Sequence, residues 1–156
     1  MLIVAIPGFG NFELRYLVLD FNGTIACDGG LLPGVSDRII AISLHLDVHV
    51  LTADTFGTCA RAVDGLAVKV AIIDDHPEDA AKHSYVRMLG AGSCACIGNG
   101  ANDRLMLEAA ALGIAVLGPE CTAAKAVAAA DIVAPGICEA LDLLLNPLRL
   151  RATLRT

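Results

Sequence analysis

Asp20-Phe21-Asn22-Gly23-Thr24 sets a carboxylate, an amide, a glycine and a hydroxyl directly after the apolar run Tyr16-Leu17-Val18-Leu19. That run has the length and composition of a fully buried parallel strand. Asp20 therefore emerges where a strand stops, the place where open α/β sheets bind ligands. Asx-Gly pairs also make plain turns, so the pentapeptide alone leaves an ordinary turn open. Other residues add to it: Thr52 ends a second apolar strand, Lys82 sits on a helix, and Gly98-Asn99-Gly100-Ala101-Asn102-Asp103 follows a third strand. A carboxylate, a hydroxyl, an ammonium and an amide/carboxylate loop converging on one sheet edge suit phosphoryl transfer. That chemistry asks a protein chiefly to position groups and neutralise charge.

These groups need a frame, and the chain supplies alternating elements. Residues 2–6 and 12–20 read as strands around the turn Pro7 to Asn11, an antiparallel hairpin feeding the central strand. Ile25 to Leu32 reads as a small hairpin flap over Asp20, and Pro33-Gly34 opens a helix with Val35, Ile39, Ile42 and Leu46 at helical spacing. Strands are expected at Leu46 to Leu51, Val68 to Ile73, Cys94 to Ile97, Ile114 to Leu117 and Asp131 to Ala134. Helices are expected from Asp54 or Thr55 to about Val63 and over Glu78 to Leu89, Arg104 to Ala111, Thr122 to Ala129 and Ile137 to Leu145. This alternation predicts a doubly wound, mainly parallel Rossmann-like α/β sheet with right-handed crossovers. Residues 1–156 are expected to form a single domain. The tail Pro147 to Thr156 reads as a frayed end or an oligomer contact.

Composition narrows the function. Hydrophobic residues make up 56% and charged residues 18%, the balance of a sheet buried on both faces. A net charge of −6 gives no basic footprint and argues against nucleic acid as the principal partner. No apolar run is long enough to cross a bilayer and no secretory leader is evident, so no membrane partner and a cytoplasmic location are expected. Six dispersed cysteines without a CxxC pair read as reduced thiols, with Cys94 and Cys96 on one strand face. Asp47 and His49 are expected to share a solvent-facing side of their strand, and His45 with His49 makes only a weak metal pair.

The four motifs, in this order, resemble those of the haloacid dehalogenase superfamily, especially its phosphatase-like members related to the phosphorylation domain of P-type ATPases. The similarity runs from about residue 14 to 134. It implies a nucleophilic Asp20 that forms an aspartyl-phosphate. It further implies phosphate binding by Thr52, the Ala53 N–H, Lys82 and Asn102 with the Gly23 and Thr24 region, and magnesium held by Asp20, the Asn22 carbonyl, Asn99 and Asp103. Lys69 competes with Lys82 for the ammonium role but lies inside a strand, and Asp74 and Asp75 read as loop and helix-start charges.

Two departures bear on rate and metal. Asn22 stands where such phosphatases carry an Asp that protonates the leaving group, a loss of about 100-fold to 10,000-fold. Asn99 stands where the family usually has a metal-binding Asp. Short intervals between motifs leave no room for a cap domain, so an open site is expected, suited to a macromolecular phosphorylated substrate or to shielding within a homo-oligomer. A regulatory module that binds phosphate or nucleotide without much chemistry is the alternative. A receiver domain fits less well, because there the phosphoacceptor follows the third strand, and a dinucleotide site lacks its third glycine.

Overall fold

The computed structural model describes residues 1–73 and 77–156. Ten strands and seven helices are described: β1 (Leu2–Ile6), β2 (Gly10–Leu14), β3 (Tyr16–Asp20), β4 (Ala26–Cys27), β5 (Gly30–Leu31), α1 (Val35–Ser43), β6 (Asp47–Thr52), α2 (Thr58–Ala62), β7 (Val68–Ile72), α3 (Glu78–Leu89), β8 (Cys94–Gly98), α4 (Arg104–Ala109), β9 (Leu112–Val116), α5 (Ala124–Ala129), β10 (Ile132–Ala134), α6 (Ile137–Leu145) and α7 (Pro147–Leu154).

Six strands form one sheet in the order β10-β9-β8-β3-β6-β7, and every pairing in it is parallel. From β3 the chain winds outward through β6 and β7, then returns to the other flank of β3 and winds through β8, β9 and β10. β3 is thus the point where the winding reverses, and the crevice beyond its carboxyl end is the ligand-binding position of a doubly wound sheet. Both faces of the sheet are covered. Leu17 and Leu19 point into a core shared with α1, α6 and the N-terminal hairpin, while Val18, Cys94 and Cys96 point into a second core that includes Val86 of α3, Met106 and Leu107 of α4 and Ala126 of α5. Burial on both faces explains why β3, β8 and β9 read as continuous apolar runs.

The expected hairpin is present, but it forms its own two-stranded sheet. The change occurs at Arg15: its N–H donates to the Ser93 carbonyl and its carbonyl accepts from the Asp47 N–H, so from this residue onward the backbone belongs to the parallel sheet. The run 12–20 is therefore two strands. The tail is a helix and not a frayed end, because Leu150 and Leu154, four apart, bury one side of it in the same core as Val4 and Ile6. The Thr156 N–H also donates to the Pro7 carbonyl at 3.3 Å. The half-buried Arg38 of α1 donates through two nitrogens to Asp142 of α6 at 2.8 and 3.0 Å, fixing the contact between those helices.

His49 departs from expectation. Asp47 is exposed, but His49 is 3% exposed and lies beneath α3, with Nδ1 2.8 Å from the Tyr85 hydroxyl. A strand next to the sheet centre has both faces covered, so the polar alternation that suggested solvent has a hydrogen-bonded aromatic partner instead. His45 is exposed just beyond α1, whereas the His49 ring is buried against Tyr85. All six cysteines are free.

Candidate active site

The parallel registers decide what meets Asp20. Asp20 pairs with Leu51, so Thr52 lies one residue further along β6, and Leu19 pairs with Ile97, so Gly98 and the Asn99 loop leave β8 alongside. Helix α3, between β7 and β8, brings Lys82 across the second face to the same edge. Asp20, Thr52, Lys82 and Asn99 are all nine-tenths or more buried, an unusual concentration of polar groups. They border a cavity of about 460 Å³ that Asn22, Ala53, Gly100 and Asn102 also line.

Lys82 is the electrostatic centre of the site. Its Nζ lies 2.6 Å from Asp20 Oδ1 and 2.6 Å from Asp103 Oδ1, and its side chain is 2% exposed. Burial alone would favour the neutral amine, but the two carboxylates hold it charged, with its pKa raised above the ordinary lysine value. One ammonium shared by two carboxylates leaves a net negative charge. Burial, and then repulsion from Asp103, outweigh the pull of Lys82 and push Asp20 up to about 6. Asp103 is fully buried and both its oxygens are engaged: Oδ1 by Lys82, Oδ2 by the Asn99 N–H at 3.0 Å and the Gly100 N–H at 2.8 Å. Through these contacts Asp103, one of the expected metal ligands, also ties the lysine to the loop.

The turn after Asp20 is wound tightly. The Phe21 carbonyl accepts from the N–H groups of Thr24, Ile25 and Ala26, and the Gly23 N–H donates to the Ala26 carbonyl at 2.8 Å. The amides of Gly23 and Thr24 are therefore spent inside the turn. Gly23 has φ +80°, and a Cβ there would fall 2.5 Å from the Asn99 amide, so conformation and space both require glycine. Close approach brings the two loops together. The Thr24 hydroxyl reaches Asp20 Oδ2 at 3.0 Å and Asn99 Oδ1 at 3.1 Å, while Asn99 Nδ2 donates to the Cys121 carbonyl at 2.9 Å, which fixes the amide orientation. One hydroxyl proton serves two acceptor oxygens, so this oxygen cluster is short of positive charge. A hard, oxygen-preferring cation such as magnesium fits that donor set, in which Asp20 supplies the carboxylate oxygen.

The structure brings Asp20, Asn22, Thr52, Ala53, Lys82, Asn99 and Asn102 to one cavity. Gly23 and Thr24 lie in the turn that follows Asp20, and Asp103 stands behind Lys82. Lys69 is elsewhere, on the edge strand β7, 3.8 Å from Asp47. Asp74 and Asp75 lie outside the described residues. The flap forms as β4 and β5 joined through Asp28 and Gly29, both at positive φ as the tightest hairpin turn requires.

Sequence reasoning passed over three acidic residues of the cavity wall. Asp54 accepts from the N–H groups of Phe56 at 2.8 Å and Cys59 at 2.9 Å, which holds its pKa below the usual carboxylate value. It orders the loop before α2, which starts later than expected, at Thr58. Glu78 accepts from Asn102 Nδ2 at 2.7 Å, and the exposed Glu120 lies on the loop after β9. Only the capping role of Asp54 left a signal in the sequence; Glu78 and Glu120 reach the cavity through α3 and a surface loop that carry no motif.

No family model matches the chain. An uncharacterised protein of Methanocaldococcus jannaschii is 54% identical over 59 residues, which span 38% of this chain and 63% of that protein. A second uncharacterised protein of the same organism is 41% identical over 39 residues, 25% of this chain and 89% of its own length. The chain belongs to the family of this second archaeal protein.

Solved structures give the fold a name. A 3-deoxy-D-manno-octulosonate 8-phosphate phosphatase from Moraxella catarrhalis, in complex with magnesium, phosphate and KDO, superposes with a TM-score of 0.72 at 17% identity, covering 92% of this chain and 94% of that one. The cobalt-bound deoxy-D-mannose-octulosonate 8-phosphate phosphatase from Haemophilus influenzae gives 0.69 at 16% identity over the same shares. A zinc-transporting PIB-type ATPase gives 0.62 at 23% identity, covering 79% of this chain and 20% of the transporter. A putative HAD family hydrolase from Streptomyces avermitilis gives 0.70 at 20% identity, covering 87% of each chain, so the architecture is the haloacid dehalogenase fold, with no separate cap domain among the described residues. Among the described residues, no helix is long and apolar enough to cross a membrane.

Proposed function

We propose that this chain is a magnesium-dependent phosphoryl-transfer hydrolase that works through an aspartyl-phosphate on Asp20, with a site of the P-type ATPase kind. One observation carries this reading: a buried lysine 2.6 Å from two carboxylates, at the floor of a polar cavity where the sheet's winding reverses. Asp20 Oδ2 faces Thr24 and Asn99, and Oδ1 faces Lys82. In the proposed reaction Oδ1 attacks phosphorus and the bond from phosphorus to the leaving oxygen breaks. Lys82 offsets the charge of nucleophile and phosphoryl group, while the Thr52 hydroxyl, the Ala53 N–H and the Asn102 amide hold phosphoryl oxygens. Asp103 keeps Lys82 protonated and placed. Asp20, the Asn22 carbonyl and Asn99 would hold magnesium, which when bound would supply charge neutralisation.

No side chain at position 22 can protonate the leaving oxygen or deprotonate the incoming water. Both proton transfers fall to solvent, and the phosphoenzyme turns over slowly. The Asn22→Asp variant tests this. Hydrolysis of phosphomonoesters should rise by about 100-fold or more, toward the usual contribution of a general acid/base. An unchanged rate, with magnesium still bound, removes the hydrolase reading. It would leave a phosphate- or nucleotide-binding regulatory module, which Asn22, Asn99 and the engaged oxygens of Asp103 also suit.

A further inference from the structure

The charges around the cavity point to the kind of leaving group it accepts; this inference rests on the phosphohydrolase reading above. Beyond the buried Lys82 and Asp20, the wall carries Asp54, Glu78 and Glu120, and among the described residues Lys82 is the only cation lining it. Lys82 is already occupied by Asp20 and Asp103, so it has no charge to spare for the rest of a substrate. Asn99 is buried at the floor of the site, Asn22 is exposed at its mouth, and the half-buried Asp54 and Glu78 and the exposed Glu120 line the same wall. Asn22 and Asn99 reduce negative charge where the phosphoryl group would lie, while the acidic side chains stand where the remainder of the substrate would pass. Glu120 strengthens this rim: its carboxylate, the Cys27 thiol and the Asp28 carboxylate present atoms within 4.8 Å of one another on the flap side.

We infer that the site selects phosphomonoesters whose leaving alcohol carries a positive charge, such as an amino alcohol, and disfavours leaving groups that bear a carboxylate or further phosphates. A leaving ammonium would lie among Asp54, Glu78 and Glu120 as an acidic leaving group could not. The hydrolysis balances without another reagent: water supplies the oxygen that ends on phosphate and the proton that ends on the alcohol.

The test compares phosphoethanolamine, glycerol phosphate and phosphoglycolate, measured by phosphate release and by protection of Asp20 from labelling by acetyl phosphate. At low salt kcat/KM should fall in that order, with about tenfold or more between the first and last, since each exposed carboxylate contributes about two- to fivefold. High salt should compress the series. The Glu120→Gln and Glu78→Gln substitutions should each narrow the ratio of first to last by about two- to fivefold. If acetyl phosphate labels Asp20 but phosphoglycolate matches or exceeds phosphoethanolamine, or the ratio ignores both substitutions, the charge preference is wrong and the hydrolase reading stands. If Asp20 is not labelled and no ester binds, both fall.

Discussion

Replacing the proposed nucleophile should make the protein more stable, by an amount that grows with pH. Asp20 is raised from 3.8 to about 6 in the fold, by burial first and then by Asp103. A carboxylate with a raised folded value contributes its stability below the unfolded value and loses it as pH rises through the folded one. Between pH 4 and 7 the ionised Asp20 therefore comes to cost on the order of 3 kcal/mol relative to a neutral isostere. Asp20→Asn removes that cost. The introduced amide can keep an oxygen on Lys82 and donate to the Thr24 hydroxyl, which is then free to give its proton to Asn99 alone. For a chain of this size the change corresponds to a melting temperature higher by about 6–12 °C at pH 8, in chelator so that no metal repays the wild type. At pH 5 the gain should be roughly half as large. Thermal melts at the two pH values read this directly. A variant less stable than wild type at pH 8, or a gap that does not change with pH, would refute the picture of one ammonium shared between two carboxylates.

Two further substitutions probe the neighbouring groups. Asp103→Asn should be as harmful as Asp20→Asn is helpful. One oxygen must become a donor facing either Lys82 or the N–H groups of Asn99 and Gly100, a loss of about 3–5 kcal/mol that urea melts would show; a loss under about 1 kcal/mol would mean that Lys82 does not depend on it. Asn99→Asp should tighten magnesium by about tenfold or more, because it adds a charge beside Asp20 Oδ2. Calorimetry showing unchanged affinity would place the metal elsewhere.

Much of this architecture was legible in the residues because burial on both faces and helical periodicity write directly into sequence. β3, β8, α3 and α6 fall close to where their patterns put them. Motif order on a parallel sheet also predicts which ends meet, since parallel strands deliver their carboxyl ends to one edge. Other features depend on pairing that no local pattern records. The break at Arg15 follows from which strand its backbone groups find, and the burial of His49 follows from Tyr85 arriving on α3. The engagement of Asp103 was hidden for a related reason. A carboxylate in a loop looks the same in sequence whether it faces a cation or the backbone. Glu78 and Glu120 come to the cavity from separate elements, so no spacing announces them.

The central claim is that Asp20 becomes covalently phosphorylated. Intact-mass measurement after acetyl phosphate and magnesium tests it most directly. Wild type should gain one phosphoryl group, Asp20→Asn should gain none, and peptide mapping should place the adduct on Asp20. An unmodified wild type, or an equal adduct on both proteins, would contradict the mechanism.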